Sequence, residues 1–501
     1  MKKIIFIIGI ALVSFISCTD LTSESYDVIN PGIFPETEDD AEALITAAAY
    51  GPFRSDWYDG IFTVAQGGIQ VITEMTTDIG DCQWDDPVWP DVIYQNFTSN
   101  SGGVIQFYGD GSDDYPGYRK AMSRMTSTFD RIADVPMPEE TKARMNAELH
   151  CGLGWLAFLL YDLYGPIPVA TKEQLADPMS DEIIERPTQE WMVNYIETEL
   201  NAALDGLPSV YSPSSSDYGR FTKGLVYTVL MKLYMHEGNW AKAEEMGREL
   251  MSPEYGYALV PEYKDIFTLE NERNSEIIWA CNETRSTNMQ LWLAHVLSSE
   301  YPTKNEYIQK WGGYRVPWAF YDTFDANDKR LEVLVGDFIG TDGVHYNKDN
   351  PGTVLIKGAL PIKYGEDPAA TGEESQVDWI IYRYADVLTL LSEAIVRKNN
   401  TITQEAVDLL NTVRDRAGIT PYTLSSFTDV QDFYDKILLN RGQELWFEGH
   451  RKGDLIRHGK YIEFARKYKG STTTKDAFVL WPLPQGAINE GKGKIIQNPG
   501  Y

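Results

Sequence analysis

Residues 382–459 contain three consecutive amphipathic patterns and constrain the fold more than any other part of the sequence. In each pattern apolar residues recur every three or four positions, which predicts a helix with one buried face. The second helix is predicted to begin at a capping box of Thr401 and Gln404 and to end before Gly418, which suits a left-handed cap. The third is predicted to end near Gly449. Short links make consecutive helices antiparallel, so the sequence predicts stacked helical hairpins. The apolar stripes consist of Tyr384, Val387, Leu388, Leu391, Ala394 and Ile395, then Ala406, Leu409, Leu410, Val413 and Ala417, then Ile437, Leu438, Leu445 and Phe447.

Charged residues are interleaved with large apolar ones at the end of this stretch. Arg441, Glu444, Glu448, Arg451 and Asp454 surround a Leu-Trp-Phe sequence. Charges this close to large apolar groups are expected to be partly buried and paired. Two interpretations are open: a structural ion-pair network, or a catalytic carboxylate pair formed by Glu444 and Glu448. Arginines in the same segment would keep both carboxylates ionised, which favours the structural network.

The rest of the chain predicts more helices and one irregular region. The helices are predicted over 38–58, 61–77, 115–133, 139–164, 188–207 and 221–237. The last of these, with the NWAKAEEMGRELM sequence that follows, resembles a tetratricopeptide hairpin, although no strict repeat period runs through the chain. In the middle the helical pattern weakens and Tyr, Gly, Asn and Trp become frequent, which is typical of a functional loop region. We therefore predict a mostly α fold of degenerate tetratricopeptide-like hairpins. The domain is predicted over 36–501, with a helical scaffold in 36–254 and 379–470 and a loop-rich ligand-binding region in 255–378.

The first 17 residues are interpreted as a secretory signal peptide. Two lysines precede the apolar run Ile4–Ile16, which is too short for a comfortable membrane span. Cys18 follows Phe-Ile-Ser, a loose lipobox, which predicts cleavage before Cys18 and lipidation of this cysteine. The alternative is an ordinary signal peptide with an incidental cysteine. Residues 18–35 are polar and without periodicity, and we predict that they form a tether between the lipid and the domain.

The charge of the chain disfavours one class of ligand. The formal net charge is −30, and long-range repulsion from an acidic surface argues against nucleic acid and other polyanions. Neutral sugars carry no charge on which such repulsion could act.

If Cys18 is lipidated, Cys82, Cys151 and Cys281 remain, and the sequence leaves open whether any two of them form a disulfide.

No motif in the sequence predicts a metal or a cofactor. The chain contains no HExxH sequence, no GxSxG nucleophile elbow and no P-loop. The FDANDKR sequence places Asp325, Asn327 and Asp328 close together, which could suggest calcium. It lacks the spacing and the terminal glutamate of an EF-hand, so we interpret it as structural.

The predicted loop 78–91 is the first candidate binding site. It contains Trp84 and Trp89 among several aspartates, including Asp81 and Asp85, and two prolines restrict its backbone. Tryptophans on such a polar loop are poor core candidates, because the neighbouring carboxylates favour contact with water. An aromatic face can instead pack against the C–H groups of a sugar ring while carboxylates accept bonds from its hydroxyls. The alternative is that one tryptophan only anchors the loop to the body.

A second set of candidate aromatic platforms lies in the loop-rich region. It consists of Trp292, Trp311, Tyr314 and Trp318. Two glycines follow Trp311, which would leave its ring accessible, whereas the Ala-Phe-Tyr sequence after Trp318 suggests partial burial. Together with the first loop, these residues predict a carbohydrate-binding surface.

Four sequence segments resemble the C-terminal signature of the SusD/RagB family of outer-membrane lipoproteins. They are RYADVLTLLSEA, LNTVRDRAGI, NRGQELWFEGHRKGDLIRHG and the terminal IIQNPGY. The resemblance implies a SusD-like fold, a lipid anchor at Cys18, a location in the outer membrane facing the exterior and no enzymatic activity. It also implies that the protein captures oligo- or polysaccharide and passes it to a TonB-dependent SusC-like transporter. The alternatives are capture of peptides or other nutrients, as in the RagB branch, a glycoside hydrolase whose carboxylates the sequence does not identify, and a helical adaptor for another protein.

Overall fold

The computed structural model describes residues 34–56, 60–65, 68–109, 117–177, 179–285 and 288–501. The predicted signal peptide, Cys18 and most of the predicted tether lie outside these residues. The predicted mostly α fold is confirmed. The α-helices are Glu38–Ile45, Ile69–Met75, Val88–Ile93, Gly102–Ile105, Arg119–Ala133, Glu139–Tyr164, Lys172–Leu175, Gln189–Ala203, Lys223–His236, Trp240–Leu250, Trp292–Val296, Trp318–Tyr321, Tyr384–Asn399, Gln404–Arg416, Val430–Leu445, Arg451–Arg457, Tyr461–Tyr468 and Gln485–Glu490.

The β-structure of the described residues consists of short antiparallel pairs. Asp81–Cys82 pairs with Tyr314–Arg315, Ile277–Cys281 with Trp379–Arg383, Leu334–Val335 with Leu360–Pro361, and Phe338–Ile339 with His345–Tyr346. Strand Trp379–Arg383 leads directly into helix Tyr384–Asn399. Apart from Asp81–Cys82, these strands lie in the region that the sequence predicts to be rich in loops or at its border.

Helical hairpins pack against one another across the middle of the chain. Helix Trp240–Leu250 packs on helix Lys223–His236 and also on helix Tyr384–Asn399. A Cβ atom at Gly247 would lie 3.1 Å from Leu391 Cδ1, so the absence of a side chain allows this close approach. The helices before and after the loop-rich region therefore form one continuous scaffold.

Three predicted helix ends can be compared with the structure. Gly418 has φ of +71° and follows helix Gln404–Arg416, which confirms the predicted left-handed cap. The predicted capping box is wrong: Thr403, not Thr401, accepts the bond from Ala406 N, at 3.2 Å. The third predicted helix ends at Leu445, short of the predicted Gly449, because the backbone leaves the helical conformation at Trp446.

Two predicted helices near the start of the domain are shorter than expected. The apolar segment 61–77 contains only the helix Ile69–Met75, and the segment 38–58 continues after Ile45 as a single π-turn, Thr46–Tyr50. Helix Glu139–Tyr164 has the predicted bounds.

Among the described residues, no helix combines the length and the apolar character that crossing a membrane would require. Cys82, Cys151 and Cys281 are free, buried thiols, so the structure contains no disulfide among these three.

A buried ion network fastens the loop-rich region to the helical scaffold. Arg383, at the end of a strand, binds Glu276 at 2.7 Å, Glu444 at 2.6 Å and Glu448 at 2.7 Å. Lys363, from the loop-rich region, binds Glu448 at 2.6 Å. The network also includes Arg330, Asp328 and Arg416, which gives four cations and four carboxylates with side chains at most 3% exposed. We call these eight residues the hub.

The hub favours the structural interpretation of the two glutamates. Burial by itself would raise the pKa of Glu448, but Arg383 and Lys363 lower it to about 2. Burial would likewise raise the pKa of Glu444, and neighbouring arginines lower it. Both carboxylates are therefore ionised, fully paired and closed to solvent. A general acid requires a raised pKa and access to substrate, and this pair has neither property.

Glu74, which lies next to the hub, is expected to make the free energy of unfolding depend on pH. Its carboxylate is completely buried and accepts a bond from Arg451 N at 3.0 Å. Burial raises the pKa of Glu74 from 4.5 to about 8. Between these values the folded protein keeps a proton that the unfolded chain loses. The contribution of Glu74 to stability is therefore complete below pH 4.5 and declines as the pH rises towards 8, by up to about 1.4 kcal/mol per pH unit.

Replacing Glu74 with Gln is expected to remove this decline. The measurement is the unfolding free energy of both proteins from denaturant titrations at several pH values between 5 and 8. The stability of the wild type relative to Glu74→Gln should fall steadily over this range. Parallel curves for the two proteins would contradict a protonated Glu74 in the fold.

Candidate glycan-binding surface

The structure brings the two predicted aromatic segments together. Asp81 pairs with Arg315, and Cys82 with Tyr314, in a short antiparallel ladder. Beyond the ladder, Trp84 Nε1 donates to the carbonyl oxygen of Trp311 at 3.3 Å, across 227 residues of sequence. Pairing of the two distant backbone segments thus brings Trp84 into contact with the backbone of Trp311.

Trp84 and Trp311 are both half-buried, so each ring retains an accessible part. Asp85 is exposed next to Trp84, and Asp81 is half-buried at the base of the loop. Lys357 Nζ lies 3.7 Å from an Asp81 carboxylate oxygen. We refer to Trp84, Trp311, Asp81 and Asp85 as the platform. It offers two aromatic rings and at least one carboxylate open to solvent.

The expectation that Trp89, Trp292 and Tyr314 present accessible rings is wrong, because each is 0% exposed. Tyr314 donates its hydroxyl to Val64 O at 3.0 Å, and Trp292 Nε1 donates to Pro361 O at 2.9 Å. Trp89 packs under Trp84 with ring centroids 6.2 Å apart. These three residues support the platform from below instead of forming its surface.

Trp318 belongs to a different part of the structure. Its ring is half-buried, Nε1 donates to Leu355 O at 3.0 Å, and the side chain packs on a small cluster that includes Phe338 and Tyr346. It also meets Tyr321 edge-on at 5.3 Å. The structure therefore does not bring Trp318 to the platform.

Two buried residues that sequence reasoning missed hold the platform in place. His295 contacts the rings of Trp311 at 4.9 Å and Trp84 at 5.4 Å. Burial lowers the pKa of His295 to about 4, so the ring is neutral and Nδ1–H donates to Leu291 O at 2.9 Å. Arg315 is fully buried and donates to Val354 O and Val296 O, both at 2.9 Å. Both residues act through neighbours remote in sequence, so no local pattern reveals them.

Gly313 fits the Trp84 ring so closely that adding a methyl group should be costly. A Cβ atom at Gly313 would lie 2.4 Å from Trp84 Cζ2. Replacing Gly313 with Ala is therefore expected to displace the ring and to lower the unfolding free energy by about 1–3 kcal/mol, as overpacking does. Chemical denaturation measures this loss. Gly372→Ala is the control, because no atom lies within 4 Å of the added methyl group. Equal stability of both variants would contradict the close fit.

The fold and the platform together define a class of protein: a helical-hairpin scaffold that carries a loop-rich, aromatic face. Two family models match the chain. One, described as the SusD family, covers residues 340–501, and the other, described as starch-binding and associating with the outer membrane, covers residues 83–235. Both models describe SusD-like proteins, and they confirm the resemblance to this family that the sequence signature predicts.

Individual relatives agree with this assignment. The SusD-like protein P25 of Formosa agariphila is 23% identical over 390 residues, which cover 69% of this chain and 70% of the relative. A SusD homolog from Bacteroides thetaiotaomicron superposes with a TM-score of 0.77 at 19% identity, covering 93% of this chain and 98% of that one. Surface glycan-binding protein A from the same organism, in complex with laminarihexaose, superposes with a TM-score of 0.71 at 19% identity, covering 92% and 99%. The two superpositions show a shared fold.

Proposed function

We propose that the protein binds glycans at the cell surface through the platform. The observation that carries this proposal is the contact between two half-buried tryptophans, Trp84 and Trp311, next to the exposed Asp85. Sugar rings offer C–H faces to aromatic rings and hydroxyl donors to carboxylates. The buried residues below leave the platform little freedom to move, which reduces the entropy cost of binding.

The relatives support the same class of ligand. One solved structure of this fold is a surface glycan-binding protein in complex with laminarihexaose, and another is a laminarin-binding SusD-like protein. One matching family model is described as starch-binding. Different glucans thus occur among these relatives, and we propose oligo- or polysaccharide as the class without selecting one sugar.

We further propose that the protein is an outer-membrane lipoprotein anchored at Cys18 and facing the exterior. The signal-like N-terminus and the loose lipobox support the anchor, and the family description mentions association with the outer membrane. The expected partner is a TonB-dependent SusC-like transporter that receives the glycan. The expectation rests on the family resemblance.

The proposed function is binding without catalysis. The carboxylate pair that the sequence suggested as catalytic, Glu444 and Glu448, is buried in the hub and ionised. Capture of peptides and hydrolysis of glycans are alternatives that the same experiment separates.

The test is incubation of the purified protein with a panel of neutral and acidic polysaccharides, followed by affinity electrophoresis and a reducing-end assay. Retardation by a polysaccharide without new reducing ends supports capture. Release of sugar would indicate a hydrolase and would overturn the proposal. The absence of any retardation, together with binding to a peptide mixture, would favour peptide capture instead.

A further inference from the structure

A second concave surface lies on another side of the short helix Trp292–Val296, next to the platform. It is a groove of about 610 Å³. Leu293 on this helix and Leu297, the residue after its end, contribute to the apolar floor of the groove together with Ile362. The intervening Ala294 accepts a bond from Trp311 N at 2.8 Å. One short helix and the residue after it therefore support both the platform and the groove.

Tyr307 stands at the edge of the groove with its side chain open to solvent. It is 73% exposed, the highest value among the exposed tyrosines and tryptophans of the described residues. Such exposure is unusual for an aromatic side chain that packing alone would place in the core. The ring can offer a face to a ligand without any rearrangement of the core.

The backbone that carries Tyr307 is held firmly. Asn305 Nδ2 donates to Asp367 O at 3.0 Å and to Ala370 O at 2.9 Å, while Asn305 Oδ1 accepts from Tyr307 N at 3.0 Å. Glu366 accepts bonds from the backbone N–H groups of Lys304, at 3.2 Å, and Asn305, at 2.8 Å. A loop braced in this way presents its exposed ring at little entropy cost to binding.

The charges around the groove select the chemistry of the ligand. Among the described residues that line the groove, Lys304 is the only cation, whereas three are carboxylates: Glu270, Glu306 and Glu366. An anionic ligand would meet net repulsion, whereas uncharged hydroxyl groups can bond to the carboxylates and amides of the rim. An apolar floor, an exposed aromatic ring and a polar rim together fit an uncharged sugar chain.

We propose that this groove is a second contact site for the same glycan chain that the platform binds, and that the preferred ligand is a long, uncharged polysaccharide. The inference rests on the proposed function. A chain that occupies both sites gains the second contact as an intramolecular step, so its affinity exceeds that of a fragment that reaches only one site. Short oligosaccharides bind the platform alone.

The test is a calorimetric titration with a length series, from disaccharide to polymer, of a glycan retained in the panel. For the wild type, affinity is expected to rise steeply once the chain reaches from one site to the other. Replacing Tyr307 with Ala should weaken binding of the long members at least tenfold and leave the short members unchanged. The melting temperature should not change, because the ring is mostly in solvent.

Tyr468→Ala is the matched control, since Tyr468 is 39% exposed on helix Tyr461–Tyr468, outside the groove lining. It should bind the entire series like the wild type. A Tyr307→Ala protein with the wild-type length dependence would overturn the groove proposal while the platform proposal stands. If the wild type binds no glycan of any length or charge, both proposals fail.

Discussion

Replacing Arg383 with methionine is expected to lower the free energy of unfolding by about 3–5 kcal/mol, because removing one partner of a buried ion pair leaves the other charges uncompensated. Arg383 contacts three buried carboxylates, those of Glu276, Glu444 and Glu448. Methionine is apolar and has a similar length, so the loss reports charge pairing more than lost volume. The measurement is the shift of the denaturation midpoint, followed by far-UV circular dichroism.

Arg248→Met is the matched control. Arg248 also binds two glutamates, each at 2.8 Å, but its own side chain is 46% exposed, and those of Glu405 and Glu244 are 52% and 11% exposed. Exposed pairs of this kind contribute at most about 1 kcal/mol. Similar losses in the two arginine variants would show that burial of the hub does not determine its contribution to stability.

A double variant separates the charge effect from a general disruption. In Arg383→Met with Glu276→Gln, three cations and three carboxylates of the hub remain, so the charges balance again. This variant is expected to recover part of the stability that the single substitution loses. A further loss instead of a recovery would contradict the role of charge balance.

The periodic parts of the fold were the predictable ones. The helix predicted over 139–164 is correct because buried apolar residues recur along it from Met145 to Tyr164, and the predicted left-handed cap at Gly418 is also correct. The helix predicted at 61–77 was too long, because its first apolar residues are buried in a turn and not in a helix. The periodic spacing of apolar residues indicates which residues are buried, whereas tertiary contacts decide whether those residues adopt a helix or a turn.

The sequence could indicate candidate segments for the site but not which of their rings are accessible. Tryptophans in polar loops indicated two segments, and the structure brings these two segments together. Whether a given ring faces solvent depends on tertiary contacts, however. Trp84 and Trp89 lie in one predicted loop, yet Trp89 is buried in helix Val88–Ile93 and only Trp84 is partly accessible. The pairing of Cys82 with Tyr314 connects residues more than 200 positions apart, and no local pattern contains such a register.

Replacing Trp311 or Trp84 with Ala is expected to weaken glycan binding by at least tenfold, about 1.4 kcal/mol, because each change removes one of two aromatic faces of the platform. The two variants should differ in stability. Trp84 packs on Trp89, Tyr314 and His295, so Trp84→Ala also leaves a cavity and should lower the melting temperature. Trp84→Phe keeps an aromatic ring in this space but lacks the N–H that donates to Trp311 O, and it should recover most of the stability.

The control for these variants is Trp191→Ala. Trp191 is 44% exposed on helix Gln189–Ala203 and stacks on Tyr195 at 5.3 Å, within the scaffold and away from the loop-rich region. Affinity electrophoresis with the retained polysaccharide should show unchanged binding for Trp191→Ala and a clear loss for both platform variants. The proposal would be contradicted if Trp84→Ala and Trp311→Ala bound like the wild type and Trp191→Ala lost binding. That result would indicate that the binding surface lies on the helical scaffold and not on the loop-rich face.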